Sequence, residues 1–226
     1  MNFGSTIQGS WSLLLSGLGY TALVSIVGIA AGLGIGFVSA LMDRSRIPPL
    51  RWLSFAYVWV IRGTPMIVQA FLIYFGVPQL LRLFIPTFTL GPVMAGFVTL
   101  SLNAGAYMSE IFRGGFNAVD PGQIEASRSL GMSSSRTMIR ITLPQAIRIT
   151  VPSLVNQFII TVKDSSILSV IGLPEIVNMA RVYAGATYQF FATWSLVAVV
   201  YLTFISLMMV GSRRIERRLN RDKDSR

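Results

Sequence analysis

Five runs of apolar residues, Tyr20 to Met42, Leu53 to Phe75, Leu90 to Phe112, Ile149 to Ile171 and Phe190 to Gly211, are each 22 or 23 residues long and carry little charge. As α-helices with a rise of about 1.5 Å per residue they reach about 33 to 35 Å, enough to cross the hydrocarbon of a bilayer with some tilt. The pattern predicts an all-α, polytopic membrane protein with five transmembrane helices. In the first run Gly28, Gly32 and Gly36 recur every four residues, which places them on one helix face and lets another backbone come close. Pro48-Pro49 reads as a stop after that run, and Arg62-Gly63-Thr64-Pro65 as an interruption inside the next. A proline inside a membrane helix frees a backbone carbonyl, so Pro65 is expected against protein or a cavity. Segments 76 to 89 and 172 to 189, punctuated by Pro78, Pro86, Gly172, Pro174 and Gly185, read as short external connections. There is no internal repeat, which argues against an inverted-repeat secondary transporter.

The long stretch between the third and fourth runs, residues 113 to 148, is too patterned for a disordered connector. Asp120-Pro121-Gly122-Gln123 opens a helix: Asp caps free amides, Pro suits the first helical position, and Gln123 completes a capping-box-like arrangement. Gly131 is placed to end that helix as a C-cap glycine. Ser133 or Ser134 then caps a second short helix, which Pro144 is expected to close. Two capped helices joined at a glycine make a stiff protrusion beneath the bundle, the kind of element that transmits force. An amphipathic helix lying at the lipid headgroups is the competing reading of the same pattern.

Charge orients the chain. With the N-terminus outside, segments 43 to 52, 113 to 148 and 212 to 226 are cytoplasmic, and they hold fifteen of the nineteen basic residues. Only Arg82 and Arg181 fall outside, and Arg62 and Lys163 lie within the runs. That asymmetry follows the positive-inside rule, so the net charge of +10 is orientation signal rather than a nucleic-acid surface. No Lys or Arg precedes the first run, which is longer than a signal-peptide core, so the N-terminus is expected to be retained.

Composition narrows the chemistry further. The chain is 53% apolar and 12% charged, with a mean hydropathy of +0.63. It has no cysteine and no histidine, which removes thiol nucleophiles, His-containing metal sites and the usual hydrolytic triads. No metal or cofactor site is expected in this chain, and no glycine-rich phosphate loop ends in Lys-Ser or Lys-Thr.

Polar groups inside the runs are the remaining signal, because hydrocarbon penalises them unless they find partners or water. Asn103, Tyr107 and Glu110 fall on one face of the third helix, with Glu110 within reach of Arg113. In the fourth, Ser153, Asn156 and Lys163 share a face, and Gln157 and Asp164 share its neighbour. The candidate substrate path is Gln69, Asn103, Tyr107, Asn156, Gln157, Lys163 and Asp164. A Lys and an Asp at mid-membrane suit the carboxylate and ammonium of an amino acid, or equally an ion-pair gate. Asn and Gln also commonly tie helices together.

Glu125-Ala126-Ser127, Gly131 and Ile141-Thr142-Leu143-Pro144, at their spacing, resemble the EAA signature of permease subunits of ABC importers, with Ser127 in place of the usual second alanine. Arg62-Gly63-Thr64-Pro65, Asn103 to Arg113, Ala118 to Gln123 and Lys163-Asp164-Ser165-Ser166 are similar to the polar amino acid branch of these permeases, the glutamine, histidine, arginine and cystine type. The resemblance implies a type I ABC importer permease fold, one transmembrane permease domain over residues 1–226, and a bacterial plasma (inner) membrane location. It implies a second permease, as homodimer or heterodimer, an ABC ATPase dimer that binds the ATP and Mg, and an extracytoplasmic amino-acid-binding protein. It assigns docking onto the ATPase to Gln123, Glu125, Ala126, Ser127, Arg128, Gly131, Leu143 and Pro144. The competing classes are an ion-coupled secondary amino acid transporter or channel, and a membrane scaffold whose basic tail binds anionic lipid.

Overall fold

The structure is a computed structural model that describes residues 3–224, without the side chains of Ser5 and of residues 215–224. The side chains of Arg217, Arg218, Arg221 and Lys223, and Arg226 as a whole, thus lie outside the described residues. The described chain is helical throughout: α1 (Phe3–Asp43), α2 (Pro48–Gly63), α3 (Met66–Phe71), a π-helical turn Leu72–Gly76, α4 (Val77–Leu81) and α5 (Pro92–Asn117). Then follow α6 (Pro121–Ser129), α7 (Ser134–Thr137), a second π-helical turn Met138–Thr142, α8 (Leu143–Asp164), a 3₁₀ segment Ser165–Ile171, α9 (Ile176–Thr187) and α10 (Phe190–Asp224).

The organising contact is between α1 and α5. The glycine stripe of α1 lies on α5: a side chain at Gly36 would meet the Gly105 carbonyl at 2.7 Å, and one at Gly32 would meet Ala104 at 3.0 Å. So close an approach lets small hydroxyls bridge helices. Ser109 donates to the Ser39 hydroxyl at 3.0 Å, and Ser54 of α2 donates to the Ser39 carbonyl at 2.8 Å. The Tyr57 hydroxyl likewise donates to the Leu102 carbonyl at 2.7 Å. Helix α5 is wrapped by α1, α2, α3 and α8 and buries Ala95, Thr99, Ser101, Asn103, Ala106 and Ser109 among others.

Among the described residues, length and apolarity qualify three stretches to cross a membrane, Thr6–Asp43, Ser134–Ile171 and Phe190–Arg214, with the pair Pro48–Gly63 and Met66–Leu81 as a fourth if that pair is one broken crossing. Five crossings therefore do not follow from these two properties. The 26-residue α5 is missing from the set because its faces meet protein, where small and polar side chains are admissible.

Four sequence expectations change. The first helix starts at Phe3 rather than near Tyr20; Thr6, Ser10 and Thr21 are buried, Gly17 lies against the backbone of Ile176, and the Thr6 hydroxyl donates to Gln189. The second run breaks at Thr64 and Pro65, as the sequence suggests, into two helices bent by 107°, but Pro48-Pro49 begins α2 instead of stopping α1. Pro144 does not close a helix, since the chain is helical from Ser134 to Ile171. Both π-helical turns end just before a proline, Pro78 and Pro144, where the Val77 amide bonds to the Leu72 carbonyl and the Leu143 amide to the Met138 carbonyl. The widened turn accommodates the ring that would otherwise press on the preceding turn. Finally, 172 to 189 is no simple loop: α9 packs on α1 and α10, and Glu175, wholly buried, accepts from the amides of Val177 at 2.9 Å and Asn178 at 2.7 Å.

The α1–α5 contact makes a direct prediction. Gly36→Val drives methyl groups into the Gly105 carbonyl and should lower stability by about 1 to 3 kcal/mol or rearrange the helix pair. Gly34→Ala, where no atom lies within 4 Å, should be neutral. Thermal unfolding of the detergent-solubilised importer separates the two, and equal midpoints would show that α1 does not touch α5 this way.

Candidate functional site

The site begins at the break between α2 and α3. Thr64 (φ −122°, ψ 142°) and Pro65 (φ −61°, ψ 138°) are extended, so carbonyls near the end of α2 lose their helical donors. Gln69, one turn into α3, replaces them: its Nε2 donates to the Ile61 carbonyl at 2.7 Å, the Thr64 carbonyl at 3.0 Å and the Thr64 hydroxyl at 3.0 Å. Its Oε1 accepts from Asn103 Nδ2 at 3.0 Å, which ties the break to α5. The expectation that Pro65 sits against protein or a cavity is met, because Pro65 lines the wall of an open cavity.

That cavity, of about 600 Å³, is lined by Arg62, Thr64 and Pro65 at the break, Asn103 and Tyr107 from α5, and Gln157 and Asp164 from α8. A second cavity of about 670 Å³ lies toward α6 and is lined by Asp43, Ser54, Ser109, Glu110 and Arg113. Arg62, Gly63 and Tyr107 belong to both. The Arg62 guanidinium carbon lies 5.4 Å from the Tyr107 ring centroid, and its Nη1 is 3.0 Å from Glu110 Oε2. Arg113 grips the same carboxylate with both ends of its fork, at 2.9 and 2.6 Å.

Of the seven path candidates the structure brings together Asn103, Tyr107, Gln157 and Asp164, with Gln69 behind Asn103. Asn156 and Lys163 are on the exposed side of α8 and do not line the cavity. Lys163 and Asp164 form no ion pair with each other among the described residues. Arg62 is the wall residue that spacing did not single out as a site. Its signal was an arginine left inside an apolar run, where an unneeded charge is expensive.

The protrusion is built as the sequence suggests, with one change. Asp120 caps α6 by accepting from the Gly122 amide at 2.8 Å, but Gln123 turns away from the cap and accepts from Gln145 Nε2 at 2.6 Å. This joins α6 to α8 instead of closing a capping box. Gly131 has φ +82°, and the Met132 amide reaches back to the Ser127 carbonyl at 3.1 Å while the Gly131 amide reaches Arg128 at 3.0 Å, a Schellman ending. Buried Ser127 shares a hydrogen bond with the Thr137 hydroxyl at 3.0 Å, and Arg128 donates to Ser134, so α6 and α7 are clamped together. Ile124, Met138 and Leu143 pack on Phe112, Phe116 and Val119, which seats the protrusion on the end of α5. Glu125, Ala126 and Leu130, the last 85% exposed, remain outward.

A bundle of long apolar helices beside an open cavity with polar side chains in its wall, joined to a capped protrusion, is the build of a membrane transport subunit. Residues 32–221 match the family described as the binding-protein-dependent transport system inner membrane component, and the chain belongs to that family. It is 36% identical over 219 residues to the arginine transport system permease protein ArtQ of Bacillus subtilis (strain 168), covering 97% of each chain. It is also 36% identical over 215 residues to the L-cystine transport system permease protein TcyB of the same organism, covering 95% of this chain and 89% of that one. A solved structure of an amino acid ABC transporter with histidines superimposes with a TM-score of 0.89 at 36% identity, over 96% of this chain and 99% of the other. The inward-facing MetNI methionine ABC transporter, at 22% identity and a TM-score of 0.75 over 92% of this chain and 96% of that one, shares the fold. The chain is thus a permease, a transport subunit rather than an enzyme, in a multi-pass inner membrane protein that works with a separate ATPase subunit and another permease. Nothing supports a gradient-driven secondary transporter.

The break generates its own test. Gln69→Leu keeps the volume but strips the Ile61 and Thr64 carbonyls of their donor, which should cost about 1 to 3 kcal/mol for each group left unpaired. A lowered unfolding midpoint in the purified complex is the expected result, and an unchanged midpoint would mean that other donors serve the break.

Proposed function

We propose that the chain forms half of the translocation path of an ATP-driven amino acid importer and couples that path to the ATPase. The observation that carries this reading is how the protrusion is joined to the bundle. α7 runs without a break into α8, and the short turn 118–120 joins α6 to α5; α5 and α8 are the two helices that supply Asn103, Tyr107, Gln157 and Asp164 to the cavity wall. A displacement of α6–α7 is therefore a displacement of the cavity wall. In this account ATP and Mg²⁺ are bound by the partner ATPase dimer, whose closure pushes on the face formed by Glu125, Ala126 and Leu130. Ser127, Arg128, Gly131 and Gln123 keep the protrusion stiff, and Leu143 and Pro144 pass the movement into α8.

The substrate class is supported by the relatives, which are named for arginine and cystine transport, and by the wall itself. The Asp164 carboxylate suits a substrate ammonium, and the amides of Asn103 and Gln157 supply donors and acceptors to neutral polar atoms. Asn156 and Lys163, on the outer face of α8, are assigned to the side on which the second permease packs, identical or not. An extracytoplasmic binding protein delivers the amino acid, the N-terminus is outside, and the protrusion and C-terminus are cytoplasmic, as the basic residues direct. Residues 1–226 then act as one permease domain with five crossings, α5 being the protein-sheathed one.

The experiment is ATPase activity of the assembled importer in lipid, with binding protein loaded from a panel of amino acids. Stimulation by a loaded form is expected in the parent. Gly131→Asp puts a side chain where φ is +82° and a carboxylate beside the docking face, and should remove stimulation while leaving membrane insertion intact. Full stimulation in that variant would sink the coupling assignment.

A further inference from the structure

The two cavities described above meet at only three residues, Arg62, Gly63 and Tyr107. Gly63 has no side chain, so the side chains they share are the Arg62 guanidinium and the Tyr107 ring, laid together at 5.4 Å. Resting on the importer reading, we propose that Arg62 is a gate arm. Held on Tyr107 and Glu110, it closes the substrate cavity from the vestibule on the α6 side.

The wiring of the ion pair makes Arg62 the part that moves. Glu110 and Arg113 stand three residues apart on α5, and Arg113 already engages both carboxylate oxygens, at 2.9 and 2.6 Å. Arg62 adds one contact, at 3.0 Å, from a different element. When Arg62 leaves, Glu110 keeps a bidentate partner and no carboxylate is stranded in a low-dielectric site. Were Arg62 the sole partner, opening would strand a charge. The arm also sits at the right place to swing: it lies two residues before Thr64 and Pro65, at the 107° bend. Any change in that bend carries the Arg62 backbone relative to α5. With 41% of its side chain exposed, Arg62 has room to withdraw. Tyr107 supplies a second attachment that remains when the Glu110 contact is lost, because an aromatic face holds a cation without a fixed hydrogen-bond geometry.

The chain has no cysteine, so one introduced thiol reports alone within it. Ile160 lines the substrate cavity and not the vestibule. In the assembled importer, Ile160→Cys is exposed to a membrane-impermeant methanethiosulfonate from the cytoplasmic side of nucleotide-free inside-out vesicles. Removing the arm with Arg62→Ala should speed modification roughly tenfold, about what a cation–π contact and a partly exposed ion pair together hold shut. Tyr107→Leu should act in the same direction, and carries the test alone if Arg62→Ala fails to accumulate. Arg62→Lys, which keeps the cation, should restore slow modification, a rescue that mere packing would not give. Arg113→Ala should leave the rate unchanged, since Arg62 retains both its holds. Equal rates in the parent, Arg62→Ala and Tyr107→Leu overturn the gate. The two readings fail separately: if the importer with the unsubstituted chain shows ATP-dependent amino acid uptake, unchanged labelling removes the gate alone, whereas no uptake by that unsubstituted importer on any of the amino acid panel removes the importer reading.

Discussion

The architecture rests on how closely two backbones approach. Along Gly28, Gly32 and Gly36 the first helix has no side chains, and α5 lies against it with Gly105 and Ala104 at the contact. In hydrocarbon, where apolar side chains gain nothing by leaving lipid for protein, such packing and the hydrogen bonds it permits are what hold helices together. Ser39, Ser54 and Ser109 meet only because the helices are this close. Once α5 is sheathed on several sides, Asn103, Ser109 and Glu110 can sit on it facing other helices.

A second constraint acts on the backbone itself. The α2–α3 break would be untenable in lipid without donors for its carbonyls, and a single amide, Gln69, supplies them while gripping Asn103. The same group therefore stabilises the break and orders the cavity wall. The cavity's other wall comes from α8, and both walls continue into the clamped α6–α7 pair. Rigidity at the protrusion and a discontinuity at mid-chain divide the labour: one element carries movement, the other absorbs it.

Local chemistry was legible in the sequence wherever neighbours in the chain decide it. Asp120 capping α6, the positive φ at Gly131, the glycine stripe of α1 and the need for a partner at Pro65 all follow from near-neighbour rules. What was illegible depended on which elements meet in space. Periodicity placed Asn156 and Lys163 beside Gln157 and Asp164, but angular position on a helix does not say which face meets the cavity, and the structure divides the two stripes. The polar N-terminal part of α1 and the α9 segment read as extramembrane from their Ser, Thr and Glu content, but those groups have partners within the bundle: Thr6 donates to Gln189, Ser10 to the Thr6 carbonyl, the Thr21 hydroxyl accepts from the Ile176 amide, and Glu175 from the amides of Val177 and Asn178. Pro78 read as punctuation of a connection and Pro144 as a stop because proline usually interrupts a helix, and a π-helical turn precedes each.

The claim at the centre is that movement of a partner ATPase, not an ion gradient, drives amino acids past Asn103, Gln157 and Asp164. The most direct measurement is uptake of radiolabelled amino acids into proteoliposomes holding the assembled importer, with binding protein and ATP on opposite faces, against matched vesicles given ion gradients but no ATP. The account predicts accumulation only where ATP is present on the α6–α7 side. Accumulation driven by a gradient without ATP would contradict it.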